Sequence, residues 1–133
     1  MIHEEICTYE VAKLAKEKGF NEYEACSHLY EVDERWYTLT KYNNARGIDW
    51  SKSYFYAAPT QSLLQRWLRE EKGYAISVTA YPTLASLNKV CYAWEIKSSS
   101  DGSFMKSTDS EYTFSTYELA LEDALKYALE NLV

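Results

Sequence analysis

The hydrophobic period of this chain changes from two to 3.6 near residue 115, and that change dictates what the C-terminal half can build. Ile76, Val78 and Ala80 alternate with Ser77, Thr79 and Tyr81; Val90, Tyr92, Trp94 and Ile96 alternate with Cys91, Ala93, Glu95 and Lys97. Such alternation is the mark of strands with one buried face. Behind them Tyr117, Ala120, Leu121, Ala124, Leu125, Ala128, Leu129 and Leu132 recur at helical spacing. An apolar stripe of that length needs a flat apolar partner, and the preceding strands supply one. The pattern predicts an α+β fold with a mostly antiparallel sheet and three helices, the C-terminal helix packed on the C-terminal strands.

Local signals place the boundaries. Ser115 and Glu118 read as a capping box for the last helix, with Glu122, Asp123, Lys126 and Glu130 on its far face and Glu122–Lys126 as an i,i+4 pair. The connection from Pro82 to Asn88 reads as too long for a tight hairpin. Asp101-Gly102 marks a turn into a third strand at Phe104–Lys106, Tyr112–Phe114, or both with a break. Earlier, Thr8 to Lys18 reads as a helix with Val11, Leu14 and Ala15 inward, ended by left-handed Gly19 with Phe20 folding back. His28 to Val32 and Trp36 to Tyr42 have strand composition about an Asp33-Glu34 turn, and residues 43–47 form a loop. Tyr54-Phe55-Tyr56 reads as a short strand. A second helix runs from Gln61 to about Glu71, capped by Thr60 and ended by Gly73-Tyr74 as the first is by Gly19-Phe20.

Length and composition narrow the class. A chain of 133 residues fits one domain, residues 1–133, without a stabilising metal or disulfide. Three cysteines, Cys7, Cys26 and Cys91, are widely spaced with no C-x-x-C pair, which suits a reducing cytoplasm. The first residues are acidic and lack the basic start of a signal peptide, and no apolar run approaches the ~18 residues of a membrane span. The formal net charge of −6 opposes binding to a phosphate backbone, although residues 41–72 carry +3 between two segments of −5 and +1. Thirteen Tyr, four Trp and four Phe, against two His and no nucleophile motif, describe a chain equipped to bind more than to react.

Two stretches have a familiar form. Ala58-Pro59-Thr60-Gln61-Ser62-Leu63-Leu64-Gln65-Arg66-Trp67-Leu68-Arg69-Glu70, and Phe114-Ser115-Thr116-Tyr117-Glu118 with Ala120-Leu121 and Ala124-Leu125, resemble segments of small uncharacterised proteins of gut bacteria, many from prophages or other mobile elements. The two cover roughly a quarter of the chain. The resemblance implies a phage-like setting and carries no activity, cofactor or site residue with it.

Candidate chemistry is sparse. His3, Cys7, Cys26 and His28 are the ligand set of a structural zinc, but neither pair has the usual ligand spacing, and two packed thiols with two exposed imidazoles explain them better. A cysteine–histidine pair involving His28 has no triad motif behind it, Glu118 and Glu122 fit a solvated face, and four scattered glycines make no phosphate loop. The segment 41–72 carries more: Lys41, Arg46, Lys52, Arg66, Arg69 and Lys72 are interleaved with Tyr42, Trp50, Tyr54, Phe55, Tyr56 and Trp67. Cations with stacking rings are the means of binding single-stranded DNA or RNA. The same palette, chiefly Trp50, Lys52, Tyr54, Tyr56, Arg66 and Arg69, also suits a protein interface. The reading favours a non-enzymatic cytoplasmic interaction module with a protein partner and no cofactor, with single-stranded nucleic acid as the alternative.

Overall fold

The computed structural model describes residues 2–38, 48–52, 55–83, 86–108 and 113–133, without the side chains of 83 and 86–89. Its internal packing divides the chain into two compact units, Met1–Leu64 and Gln65–Val133. The fold is α+β, with three α-helices and two three-stranded antiparallel sheets among the described residues.

In the first unit, α1 (Tyr9–Glu17) starts at Thr8, whose Oγ1 accepts from the Val11 amide at 3.3 Å. It ends in a Schellman motif: the Gly19 amide bonds the Lys16 carbonyl, the Phe20 amide bonds the Ala15 carbonyl, and Gly19 takes φ +96°. Phe20 is buried, as the expected ending requires. The inward stripe is rotated from its expected position: Val11, Ala12 and Ala15 are buried and Leu14 only half-buried. The small Ala12 lets the chain around Ala58 approach, and Ala12 packs with Tyr30 and Ala58.

The hairpin expected about Asp33-Glu34 is present. β1 (His28–Glu31) pairs with β2 (Trp36–Thr38), Leu29 opposite Tyr37, and Glu34 takes the left-handed turn conformation at φ 66°. The Asp33 carboxylate accepts from the Arg35 amide and the Tyr37 hydroxyl, which fixes the turn. β3 (Phe55–Ala58) joins the other side of β1, giving the order β2-β1-β3. The rest of the second expected strand, the 43–47 loop and Tyr54 lie outside the described residues. Residues 5–7 run beside 59–61, with the Cys7 amide on the Pro59 carbonyl at 2.9 Å and the Gln61 amide on the Glu5 carbonyl at 2.8 Å.

The second expected helix is capped by Thr60, whose Oγ1 accepts from the Leu63 amide at 3.2 Å. It does not stay α-helical to Glu71. α2 (Gln61–Trp67) gives way to a π-helical segment, Leu68–Lys72, and the Gly73 amide bonds the Leu68 carbonyl five residues back. Its ending therefore shares with α1 only the left-handed glycine, at φ 83°. The wider turn changes which residues share a face, and helical spacing alone does not reveal it.

The second unit carries β4 (Tyr74–Thr83), β5 (Ser86–Ser98) and β6 (Phe104–Ser107) in that order. The stretch read as a long loop at 82–88 is mostly strand: Pro82 pairs with Val90 and Thr83 with Ser86 across a register shift. The irregularity absorbs the extra residues that the loop reading assigned to a connection. The third strand falls at the first of the expected places, where β6 spans 104–107; of the Tyr112–Phe114 stretch, Phe114 makes an isolated two-bond bridge with Tyr92, and Tyr112 lies outside the described residues. At the Asp101 turn Gly102 takes φ 72°, and its amide bonds the Ser98 carbonyl.

α3 (Tyr117–Asn131) packs on β4 and β5, as the period change required. Ala120, Leu121, Ala124, Leu125, Ala128 and Leu129 are buried, as are Ile76, Trp94 and Ile96 on the facing strands. Two details differ from expectation. The N-cap is Thr116 rather than Ser115: its Oγ1 accepts from the Leu119 amide at 3.1 Å, so the Ser115–Glu118 box does not form. Asp123, placed on the solvent face by periodicity, accepts from the Trp94 indole at 2.9 Å.

Candidate interaction surface

Among the described residues, the aromatic side chains of the first unit other than exposed Trp36 are mostly spent on packing. Tyr9 meets Tyr30 and Tyr56 edge-on at ring separations of 5.7 and 5.5 Å, over the cluster of Ala12, Tyr30 and Ala58. Burial and the neighbouring Tyr56 push the Tyr9 phenol above its ordinary pKa. The Tyr30 hydroxyl donates to the Cys7 carbonyl at 2.7 Å. Trp50 and Phe55 pack against a second cluster, Leu29 with Ile48, and Trp50 stacks flat on Tyr23 at 4.6 Å.

Against that background the expected site residues separate. Trp50 is half-buried with one face taken by Tyr23, and Tyr56 is half-buried under Tyr9. Lys52 is exposed; its carbonyl accepts from Lys16 Nζ at 2.6 Å, as the Phe55 carbonyl does at 2.8 Å. Partial burial lowers the Lys16 pKa. Arg66 and Arg69 belong to the second unit and are exposed, and Arg66 Nε sits 3.0 Å from the Glu70 carboxylate. Trp67 is buried, with Lys72 Nζ 5.3 Å from its ring centre. Tyr54, Lys41, Tyr42 and Arg46 lie outside the described residues. The structure thus divides the palette of the 41–72 segment between the two units.

Of the candidate metal and nucleophile residues, Cys7, Cys26 and His28 have packing roles. Cys7 and Cys26 are buried, and burial pushes the Cys26 thiol up to about 12, so it stays protonated at neutral pH. His28 shares a 2.8 Å hydrogen bond with Ser27 Oγ, rests edge-on against Trp36, and is lowered in pKa by burial. His3 is exposed. Among the described residues, no group of three or more His, Cys, Asp or Glu is arranged to hold a metal. No described helix is long and apolar enough to cross a membrane.

The surface best suited to binding lies in the second unit, at positions that the sequence reading placed on strand faces, on the helical stripe and, for Pro82, in a loop. On the α3 side of the sheet, burial fades along β4 from Ile76 through half-buried Val78 to exposed Ala80. β5 fades in step, from buried Ile96 and Trp94 through Tyr92 to Val90, which is 51% exposed. Cross-strand neighbours share a face, so Ala80, Tyr92 and Phe114 form one row and Pro82 with Val90 the next. Tyr117, 41% exposed at the start of α3, meets Tyr92 edge-on at 6.3 Å and borders the rows. These six residues make an apolar shelf without a charged side chain. Alternation grouped Ile76, Val78 and Ala80, and Val90, Tyr92, Trp94 and Ile96, on shared faces but could not show that α3 begins too late to cover their far ends. No family model, curated protein or solved structure matches this chain.

Proposed function

We propose that this chain is a non-enzymatic interaction module that binds another protein through the apolar shelf of its second unit. The observation that carries the reading is the shelf itself: a contiguous aromatic and aliphatic surface at the end of a sheet whose face is buried at Ile76, Trp94 and Ile96. Exposed apolar patches with aromatic anchors and no charge at their centre are characteristic of protein interfaces. Single-stranded nucleic acid asks instead for free ring faces beside cations, whereas Trp50 is stacked on Tyr23 and Arg66 is paired with Glu70. The resemblance of 58–70 and 114–125 to proteins of prophages suits an accessory role toward a host or phage protein, acting in the cytoplasm.

The test is recovery of partners from a host lysate, with and without nuclease, on tagged wild type and on Val90→Glu. Val90 is exposed, so the charge disturbs the shelf and not the core. A stoichiometric protein that survives nuclease and is lost with Val90→Glu supports the reading. Nucleic acid in the eluate, lost when Lys52, Arg66 and Arg69 are all replaced by Ala, refutes it in favour of the alternative.

A further inference from the structure

The second unit also has an unusual sheet edge. β4 lies at one side of the β4-β5-β6 sheet, and its ten residues, Tyr74–Thr83, include no charged side chain. Long uncharged edges are normally blunted by charge, proline or a cover, because their main chain is a template for a further strand.

The hydrogen-bond phase shows which groups of β4 point outward. The Ser99 amide bonds the Gly73 carbonyl, which sets the odd-numbered residues of β4 as those bonded to β5. Tyr92 and Trp94 direct their amides and carbonyls the other way, to Phe114 and Thr108. Antiparallel pairs alternate, so Ile76, Val78, Ala80 and Pro82 direct their main-chain groups to the outer edge, where no described strand pairs with β4. The Ile76 carbonyl confirms the phase, since it accepts there from Gln65 Nε2 at 2.9 Å. Pro82 has no amide proton to offer. Between them Val78 and Ala80 present two amides and two carbonyls, flanked by exposed Ser77, Thr79 and Tyr81.

We propose that this edge pairs with the same edge of a second copy, antiparallel, about a two-fold axis at Thr79. In that register Val78 lies opposite Ala80 of the second copy and Ala80 opposite its Val78, so both outward-facing residues of each strand exchange their amide and carbonyl bonds. Ile76 lies opposite Pro82: the residue without a donor meets the one carbonyl that Gln65 already satisfies. Moving the axis to Val78 or Ala80 loses this match. On one face Val78 meets Ala80; on the other Thr79 meets Thr79 and Ser77 meets Tyr81, with no charge anywhere along the seam. The edge is thus self-complementary in hydrogen bonding, side-chain character and charge. This goes beyond binding at the shelf, because it rests on the main-chain bonds of the β4 edge, although Ala80 and Pro82 border both surfaces.

Cross-linking reads the register directly. With Cys91→Ser to remove the half-exposed native thiol, Thr79→Cys places two thiols across the axis, with Cβ atoms about 5 Å apart. Ser77→Cys places them about 14 Å apart along the same strands. Under mild oxidation Thr79→Cys is expected to give a disulfide-linked dimer and Ser77→Cys to remain monomeric. Sedimentation of the wild type at rising concentration is expected to show a monomer–dimer equilibrium. Ala80→Pro, which removes an outward amide and no bond within the sheet, abolishes it while circular dichroism is unchanged. Should that variant misfold, Thr79→Glu sets like charges at the axis and weakens association about fivefold. A wild type that stays monomeric, equal cross-linking of the two cysteine variants, or a folded Ala80→Pro that dimerises like wild type overturns the proposal.

Discussion

Asp123→Ala is the perturbation that best separates the packing of the second unit from its sequence pattern. The Trp94 ring is 5% exposed on the sheet face under α3, and its indole donates to the Asp123 carboxylate at 2.9 Å. Removing the carboxylate leaves a buried donor without its acceptor, at about 2 kcal/mol for a bond to a charged group. Alanine returns about 0.5 kcal/mol through its better helix propensity, and Asp123 is too far into α3 for the helix dipole to matter. The expected net loss is about 1.5 kcal/mol. Asp123→Asn keeps a neutral acceptor and a poor helix former, so its cost should stay below about 1 kcal/mol. Amide hydrogen exchange along β5 and α3 measures this unit by itself, as a common fall in opening free energy. In a Trp94→Phe background there is no indole to satisfy, and Asp123→Ala should then be neutral or stabilising by about 0.5 kcal/mol. An equal loss in both backgrounds would refute the reasoning, since the carboxylate would then be acting on something other than Trp94.

The remaining predictions concern the cap and a thiol. Thr116→Ala should cost about 1 kcal/mol through loss of the bond to the Leu119 amide, and Ser115→Ala only a few tenths, both measured by urea unfolding; the reverse order would restore the capping box. The Cys26 thiol is neutral when protonated, and burial raises its folded pKa from an ordinary 9.0 to about 12. Its contribution to stability is therefore whole well below pH 9 and lost as pH rises toward 12, by about 1 kcal/mol between pH 9 and pH 10. Cys26→Ala should flatten that part of the stability profile relative to wild type; identical slopes from pH 9 to 10.5 would show the thiol to be solvated.

The fold was legible where a pattern repeats over several turns or strands. The stripe from Ala120 to Leu129 and the alternation in β4 and β5 each rest on several residues that agree, and a helix on an antiparallel sheet is the arrangement that buries both. Single-residue signals were less secure. Ser115 and Thr116 have the same capping chemistry, and only the entry angle of the chain into α3 decides between them. The π-helical segment at 68–72 leaves Leu64 and Leu68 buried as an α-helix would, so spacing could not detect it. The shift at Pro82 was hidden for a related reason: turn-forming residues there are compatible with a bulged strand as well as with a loop.

The candidate surface was harder to read because composition says which residues can bind, while exposure decides which of them do. Tyr56 and Trp50 look like interface anchors in the sequence and are largely committed to their own unit, Tyr56 by Tyr9 and Lys16, Trp50 by Tyr23. Val90, Tyr92 and Tyr117 look like core, because they keep step with Trp94 and Ala120. What separates the two groups is length. β4 and β5 extend past the start of α3, so the same inward face is covered at Ile76 and Ile96 and open at Ala80 and Val90. A strand pair longer than its covering helix must expose apolar rows at one end, and truncating those rows would be the simplest remedy if they had no use. This chain instead continues the alternation through Val90, adds the Phe114 bridge to widen the sheet there, and sets Tyr117 against Tyr92 at its border. Three separate segments thus converge on one partly exposed apolar face, a convergence that the packing of α3 does not require and that the proposed protein binding would use.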